Sequence, residues 1–326
     1  MKKGGKVLVR FGYVAMSVNL VNASPSKTMT LKQFEKIPDR DAAIRKLERI
    51  AQQNLENTIR LMKYNKGERI FFYRFSSRLI PLVGHELVEG WDYLTPLKEQ
   101  LIEIGTLAKE GNIRVGFHPD HYTLLNSTKE NVFEQSVAII KRHVELISKM
   151  GINPRHRNVL HIGGKAGGKE KALQRFITNF PLMPEELRYS IILENDDKTF
   201  NAKDTLFLAE KLGIPMVLDV HHERCNPSEE PLSELWPRIL KTWEASYLPP
   251  KIHISSSKDQ KDIRAHADYI KMEDFLPFLM EMKETTSELD VMIEAKQKDN
   301  ALFKLMKELK NKPGVQVLDK SVIQIL

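Results

Sequence analysis

Eight short apolar runs, each followed by a longer amphipathic segment, constrain this chain more than any other property of its sequence. The runs are Val7 to Phe11, Ile70 to Phe75, Ile113 to Phe117, Val159 to Ile162, Ile191 to Leu193, Met216 to Leu218, Ile252 to Ile254 and Val291 to Ile293. They are too short for helices and apolar almost throughout, the pattern of a strand covered on both faces. The intervening segments carry apolar residues at intervals of three and four. The clearest are Ala42, Ile44, Leu47, Ile50, Ala51 and Leu55, and later Val137, Ile140, Val144, Ile147 and Met150. Strand–helix units repeated in this way give a parallel sheet, and eight of them close into a (β/α)₈ TIM barrel. A doubly wound open sheet would suit the same alternation, but no glycine-rich turn follows the first run. Asn22 to Glu35, with Pro25 and repeated Ser and Thr, is expected to be a long first loop. No linker or repeat interrupts the pattern, so residues 1–326 are expected to form one barrel domain, a size such barrels commonly reach.

Composition narrows the setting. Apolar residues make up 41% of the chain, ample for a buried core. Fifty Lys and Arg stand against 43 Asp and Glu, a net charge of +7, which suits a polyanionic partner. A lone cysteine, Cys225, excludes an internal disulfide and any zinc site built on paired cysteines. A reducing, cytoplasmic setting is therefore expected. The start Met1-Lys2-Lys3-Gly4-Gly5-Lys6 is basic, but Arg10 interrupts the apolar stretch a signal peptide needs. No window is long and apolar enough to span a membrane.

The chemistry is concentrated at the ends of the runs. In an α/β barrel the active-site groups stand at the C-terminal ends of the strands. Here those ends read Phe117-His118-Pro119, Leu160-His161-Ile162, Leu193-Glu194-Asn195, Leu218-Asp219-Val220-His221-His222, Ile252-His253 and Ile293-Glu294, with His266 in the loop after the seventh run. One such histidine is commonplace. Six successive strands each delivering a His, Asp or Glu to one rim is not, because so many buried ionisable groups need a counter-charge. Divalent ions meet that need. The candidate ligands are His118, His161, Glu194, Asp219, His222, His253, His266 and Glu294. They suffice for two or three ions, with Glu194 placed to bridge. A nitrogen and oxygen donor set without thiolate favours Mn²⁺, Zn²⁺ or Fe²⁺ over Ca²⁺, with Mg²⁺ a further alternative. Clustered ions of this kind serve phosphodiester hydrolysis.

Other residues on the same rim extend this reading. Lys251 lies two residues before His253, so strand geometry turns both inward. Beside divalent cations its amine would be neutral, carbamylated, or engaged with a substrate phosphate. The loop Gly163-Gly164-Lys165-Ala166-Gly167-Gly168-Lys169 and the segment Ser255-Ser256-Ser257-Lys258, followed by Lys261 and Arg264, bring basic and phosphate-compatible groups to the rim.

Taken together, the segments resemble the UV damage endonuclease family over nearly the whole barrel. The resemblance is carried by Arg10-Phe11-Gly12-Tyr13, Tyr73-Arg74-Phe75-Ser76-Ser77 with Pro81, Phe117-His118-Pro119, Leu160-His161-Ile162-Gly163-Gly164, Leu193-Glu194-Asn195-Asp196, Asp219-Val220-His221-His222, Lys251-Ile252-His253-Ile254-Ser255 and His266-Ala267-Asp268. It implies a Mn²⁺-favouring enzyme that acts on double-stranded DNA carrying ultraviolet lesions and nicks immediately 5′ to cyclobutane pyrimidine dimers and 6-4 photoproducts. Its metal ligands fall on the eight residues above, and its lysine at the metal site falls on Lys251, with Glu194 and Lys251 as the catalytic pair. The adjacent pair with which the family probes the lesion, often Gln-Tyr, falls on His121-Tyr122, so an imidazole replaces an amide. Tyr13 is expected to assist at the rim, and Lys165 and Lys258 to hold DNA phosphates. A monomer is expected, since nothing points to obligate assembly. The rival readings are a sugar isomerase or epimerase on the same barrel, an apurinic-site endonuclease and, more distantly, an amidohydrolase. Against the last, no His-x-His opens the first strand.

Overall fold

The computed structural model describes residues 6–326. Ten strands form: β1 (Val7–Val14), β2 (Phe72–Arg74), β3 (Arg114–Gly116), β4 (Asn158–His161), β5 (Ile191–Glu194), β6 (Met216–Asp219), β7 (Lys251–Ile254), β8 (Glu288–Ile293), β9 (Val315–Asp319) and β10 (Val322–Ile325). The helices are α1 (Leu31–Glu35), α2 (Arg40–Gly67), α3 (Lys98–Glu110), α4 (Glu130–Lys149), α5 (Lys169–Asn179), α6 (Glu185–Arg188), α7 (Ala202–Leu212), α8 (Val220–Cys225), α9 (Leu232–Thr242), α10 (Leu276–Met282) and α11 (Lys298–Leu309). Strands β1 to β8 are parallel in the order β3-β2-β1-β8-β7-β6-β5-β4. The ring closes through one parallel bridge, Phe117 to Asn158. This is the (β/α)₈ barrel expected from the eight runs, with the strands shifted by one to three residues at their ends.

Local chemistry explains the shifts. β1 runs three residues past Phe11 because Gly12 lies against β2, where a Cβ would stand 2.0 Å from the Phe72 carbonyl oxygen. Only glycine admits that approach. β5, β6 and β7 are buried at every residue, as expected of strands covered on both faces. α7 begins on a capping box of Asn201 and Asp204 and ends on Gly213 in the left-handed conformation.

Three features depart from the sequence reading. The first loop contains α1, started by a capping box of Thr30 and Gln33. α2 runs 28 residues, far longer than β1, and its first half carries a separate core of Met29, Phe34, Ala43, Leu47 and Val88. β9 and β10 form an unexpected terminal hairpin. β10 pairs antiparallel with Val7–Arg10 of β1, whereas β2 pairs with Gly12–Val14, so the hairpin occupies the gap where β1 and β2 part. Among the described residues no helix is long and apolar enough to cross a membrane.

Candidate metal centre

Glu194, the last residue of β5, is 1% exposed and lies at the middle of the ionisable cluster. Its two oxygens face different partners: His118 Nε2 lies 2.8 Å from Oε2, and His253 Nδ1 lies 2.8 Å from Oε1. His161 Nε2 is 4.0 Å from Oε2, and His222 Nδ1 is 3.7 Å from Oε1. Glu294 is 3.2 Å from His253 Nδ1 and pairs with Arg74 of β2. Seven of the eight proposed ligands fall into three groups that share Glu194: His118 and His161; Asp219 and His222; His253 and Glu294. Within each group the donor atoms lie within 4.8 Å of one another, a span that one ion can bridge. The eighth, His266, falls outside these groups; its Nδ1 is 4.0 Å from Glu294 and it lines the same cavity of about 540 Å³.

The backbone holds these groups in place. Asn195 Oδ1 accepts from Asp219 N at 2.8 Å, and its Nδ2 donates to Asp219 O at 3.0 Å, locking the ends of β5 and β6 together. Asp219 in turn caps α8 by accepting from His222 N at 2.8 Å. His222 Nδ1 donates to Asn195 O at 2.9 Å, leaving the other ring nitrogen for a ligand. Ser77 Oγ donates to His118 O at 2.7 Å. The β1–α1 loop is tied down by buried Asp299, which accepts from Ser17 Oγ, Val18 N, Asn19 Nδ2 and Tyr64 Oη. None of Asn195, Arg74 or Asp299 was singled out for these roles from sequence. Asn195 carried a positional signal, its place beside Glu194, and Arg74 lay within the Tyr73-Arg74-Phe75-Ser76-Ser77 segment that carries the family resemblance.

Electrostatics agree with a site suited to cations. Burial alone would raise the Glu194 carboxyl, but His253, His161 and His118 hold it well below the ordinary range. Asp219 is raised, chiefly by burial and also by Glu194 and Glu294. Burial works against a charged His222, yet Asp219, Glu194 and Glu294 lift it to about 9. His161 and His253 are lowered, burial first, and so favour the neutral form that binds metal. Asp219 Oδ2, 3.7 Å from His222 Nδ1, is buried without a hydrogen-bond partner among the described residues. Buried polar atoms left in this state require a partner, and a divalent ion suits this donor set.

The remaining sequence-derived residues divide. His121 and Tyr122 stand exposed on the loop after β3, rings 5.8 Å apart and edge to face. His121 lines the metal-facing cavity and Tyr122 an adjoining cleft of about 580 Å³, so the pair forms a ridge between them. Tyr122 Oη donates to Asp120 at 2.6 Å, and partial burial with this bond raises its hydroxyl to about 12. Lys165 and Lys258 are exposed on their loops. Asn126 Nδ2 pins the glycine loop by donating to Gly164 O at 2.6 Å. Lys251 is buried one layer below His253, its Nζ 5.7 Å from the centre of the Phe72 ring, and it does not line the metal-facing cavity. Burial, and then Arg114, drive its amine far toward the neutral form.

Tyr13 corrects the expectation of a rim residue. It is fully buried, stacks edge to face on Tyr73, and donates to Asn65 Oδ1 at 2.8 Å. Because β1 continues to Val14, Tyr13 is an interior strand residue and cannot reach DNA.

Comparison with known proteins accords with this geometry. The family model described as UV-endonuclease UvdE matches residues 9–325. A UV DNA damage endonuclease of Halalkalibacterium halodurans is 49% identical over 317 residues, covering 97% of this chain and 98% of the relative. A protein of the same name from Bacillus cereus is 40% identical over 318 residues, 98% of this chain and all of the relative. The crystal structure of SacUVDE superposes with a TM-score of 0.80 at 31% identity, covering 93% of this chain and 100% of that one.

Proposed function

The chain belongs to the UV-endonuclease UvdE family, and on that premise we propose that it nicks the damaged strand immediately 5′ to cyclobutane pyrimidine dimers and 6-4 photoproducts, by hydrolysis at a centre of two or three divalent ions. That it is a repair endonuclease for UV-damaged DNA, hydrolysing phosphodiester bonds, follows from the family itself. The finer reading rests on one observation: three groups of imidazole and carboxylate donors converge on the single buried carboxylate of Glu194.

Mn²⁺ is the occupant that the resemblance to the family implies; mixed imidazole and carboxylate donors without thiolate are compatible with it, as with Zn²⁺ or Fe²⁺. His118 and His161 would hold one ion with Glu194, Asp219 and His222 a second, and His253 with Glu294 a third, with His266 adding a donor beside Glu294. Ions bound there supply Lewis-acid stabilisation of charge on phosphate oxygens and ease the deprotonation of water. Arg74 fixes the Glu294 carboxylate by its ion pair. Lys251 lies beneath Glu194, where burial and then Arg114 favour its neutral form and so limit repulsion with cations above it. Lys165 and Lys258 contact phosphates of the duplex from the rim. The ridge of His121 and Tyr122 probes the duplex, whose unstacking costs least where a lesion has already broken the stack. Residues 1–326 act as one domain, as a monomer.

The test is a nicking assay on an end-labelled duplex bearing one defined photoproduct, with Mn²⁺ and with EDTA. A single metal-dependent cut directly 5′ to the lesion is expected, absent from the intact duplex. Cleavage only at an abasic site, or none with any divalent ion, overturns the substrate assignment.

A further inference from the structure

The barrel end opposite the metals opens into another, larger cavity, of about 920 Å³. Its inner wall is built where strands begin, from Arg10 of β1, Arg114 of β3 and Arg157 just before β4. Asp290 of β8, fully buried, accepts from Arg10 Nε at 2.7 Å and Nη2 at 3.0 Å, and from Arg114 Nη1 at 2.7 Å. One carboxylate therefore answers two guanidiniums. Arg157 donates to neutral carbonyls only, those of Asn153 at 2.7 Å and Val115 at 2.6 Å. Lys109 and Lys241 on the wall outweigh nothing further, since Glu244 and Glu288 balance them. The cavity keeps a surplus of two positive charges, and both belong to arginines.

Arg114 itself is buried, its Nη1 held by Asp290 and by the Pro249 carbonyl at 2.8 Å, so Arg10 and Arg157 present the guanidiniums nearest a ligand. Aromatic rings frame the cations: Arg114 lies 5.4 Å from the ring centres of both Phe72 and Trp243, and Arg157 lies 5.9 Å from that of Tyr247. Tyr247 is 51% exposed and stands on the cavity wall, so the part of its ring not facing Arg157 is open to stacking. The volume is within the range of about 300–1,000 Å³ typical of small-ligand sites.

We propose that this floor cavity binds a small phosphate-bearing ligand of nucleotide size, its phosphate received by Arg10 and Arg157 and its ring stacked on Tyr247. The site shares no residue with the metal centre and does not depend on how that centre acts.

The experiment uses the full chain in EDTA, so that no rim metal holds the probe. Thermal shift and titration calorimetry are run with inorganic phosphate and with thymidine 5′-monophosphate. One saturable equivalent is expected for each, the nucleotide the tighter, with Tyr247→Ala removing the difference. Arg157→Gln tests the inner contact without touching Asp290. Because Arg10→Gln removes two contacts from Asp290, Lys241→Glu carries the result if that variant does not fold. Each should weaken binding at least about tenfold, the worth of one charge-assisted contact. Lesion nicking by Lys241→Glu should be unchanged. Absence of saturable binding up to about 10 mM, where even a millimolar ligand would stabilise the fold, overturns the proposal. Binding that all three variants leave unaltered overturns it as well, by placing the ligand elsewhere.

Discussion

Replacing Glu194 by Gln isolates the residue on which the proposed centre turns. The amide keeps the volume of the carboxylate and removes its charge. In the group with His118 and His161, Glu194 is the sole anion, whereas the other two groups retain Asp219 or Glu294. The first group would be left with neutral donors only, so Mn²⁺ stoichiometry should fall by at least one. Loss of an outer-shell partner already weakens metal affinity by about 10- to 100-fold, so loss of a shared direct ligand should cost at least about 100-fold, or about 2.8 kcal/mol. A second effect appears without metal. Glu194 accepts two contacts of 2.8 Å from His118 and His253, and its ionised form is favoured in spite of burial. Removing one partner from such a buried set costs about 3 kcal/mol, which should lower Tm in EDTA by several degrees. Calorimetric Mn²⁺ titration, melting in EDTA and the nicking assay together read these effects. A Glu194→Gln protein that binds Mn²⁺ with unchanged stoichiometry and affinity, and still nicks, would refute the assignment of Glu194 as the shared ligand.

Three further predictions follow from particular contacts. Tyr122→Ala should leave Tm unchanged, because the side chain is 58% exposed, yet reduce discrimination between damaged and intact duplex by about tenfold, the worth of one base–aromatic stack; equal discrimination removes Tyr122 from lesion probing. Gly105→Ala would set a Cβ 1.7 Å from the Met150 carbonyl oxygen where α3 meets the end of α4, and should destabilise by about 3 kcal/mol or more; an unaltered denaturation midpoint would mean that the helices part freely. His143 is buried and stacked on Phe117 at 4.2 Å, and burial, with Arg142 adding to it, lowers its pKa to about 3. The unfolded chain, with His near 6.5, binds the proton first, so stability is full above about pH 6.5 and falls as pH drops toward 3, by an amount on the order of several kcal/mol. His143→Phe should flatten the fall in Tm between about pH 6.5 and pH 4; an identical slope in wild type and variant would show that other groups govern acid sensitivity.

How much of this could be read in advance depended on whether residue type alone carried the information. The barrel was legible because covered strands need near-continuous apolar runs, and Ile191–Leu193 or Met216–Leu218 admit little else. The metal rim was legible because the barrel topology gathers strand ends, so His118, His161, Glu194, Asp219, His253 and Glu294 needed only their positions along the chain to be brought together. The terminal hairpin was not. Val315–Asp319 and Val322–Ile325 carry strand-forming residues, but eight runs had already completed a barrel, and nothing local shows that β1 parts from β2 and leaves a gap. Tyr13 was misplaced for a related reason: its burial depends on β1 extending past Phe11, which depends in turn on Gly12 meeting Phe72, a residue of another strand.

The same distinction separates the two ends of the barrel. At the rim the functional groups are histidines and acids, types rarely clustered without chemical cause. At the floor they are arginines, which sequence cannot distinguish from surface arginines. Arg10 and Asp290 lie 280 positions apart, and Arg114 meets the same carboxylate from a third strand. Only the folded register shows that one acid serves two guanidiniums while a third finds none. A barrel floor that served stability alone would have every reason to balance those charges, since a buried unpaired cation is penalised and an apolar substitute of similar volume is often no worse. The imbalance therefore argues for a ligand at the floor on grounds independent of the metals above it.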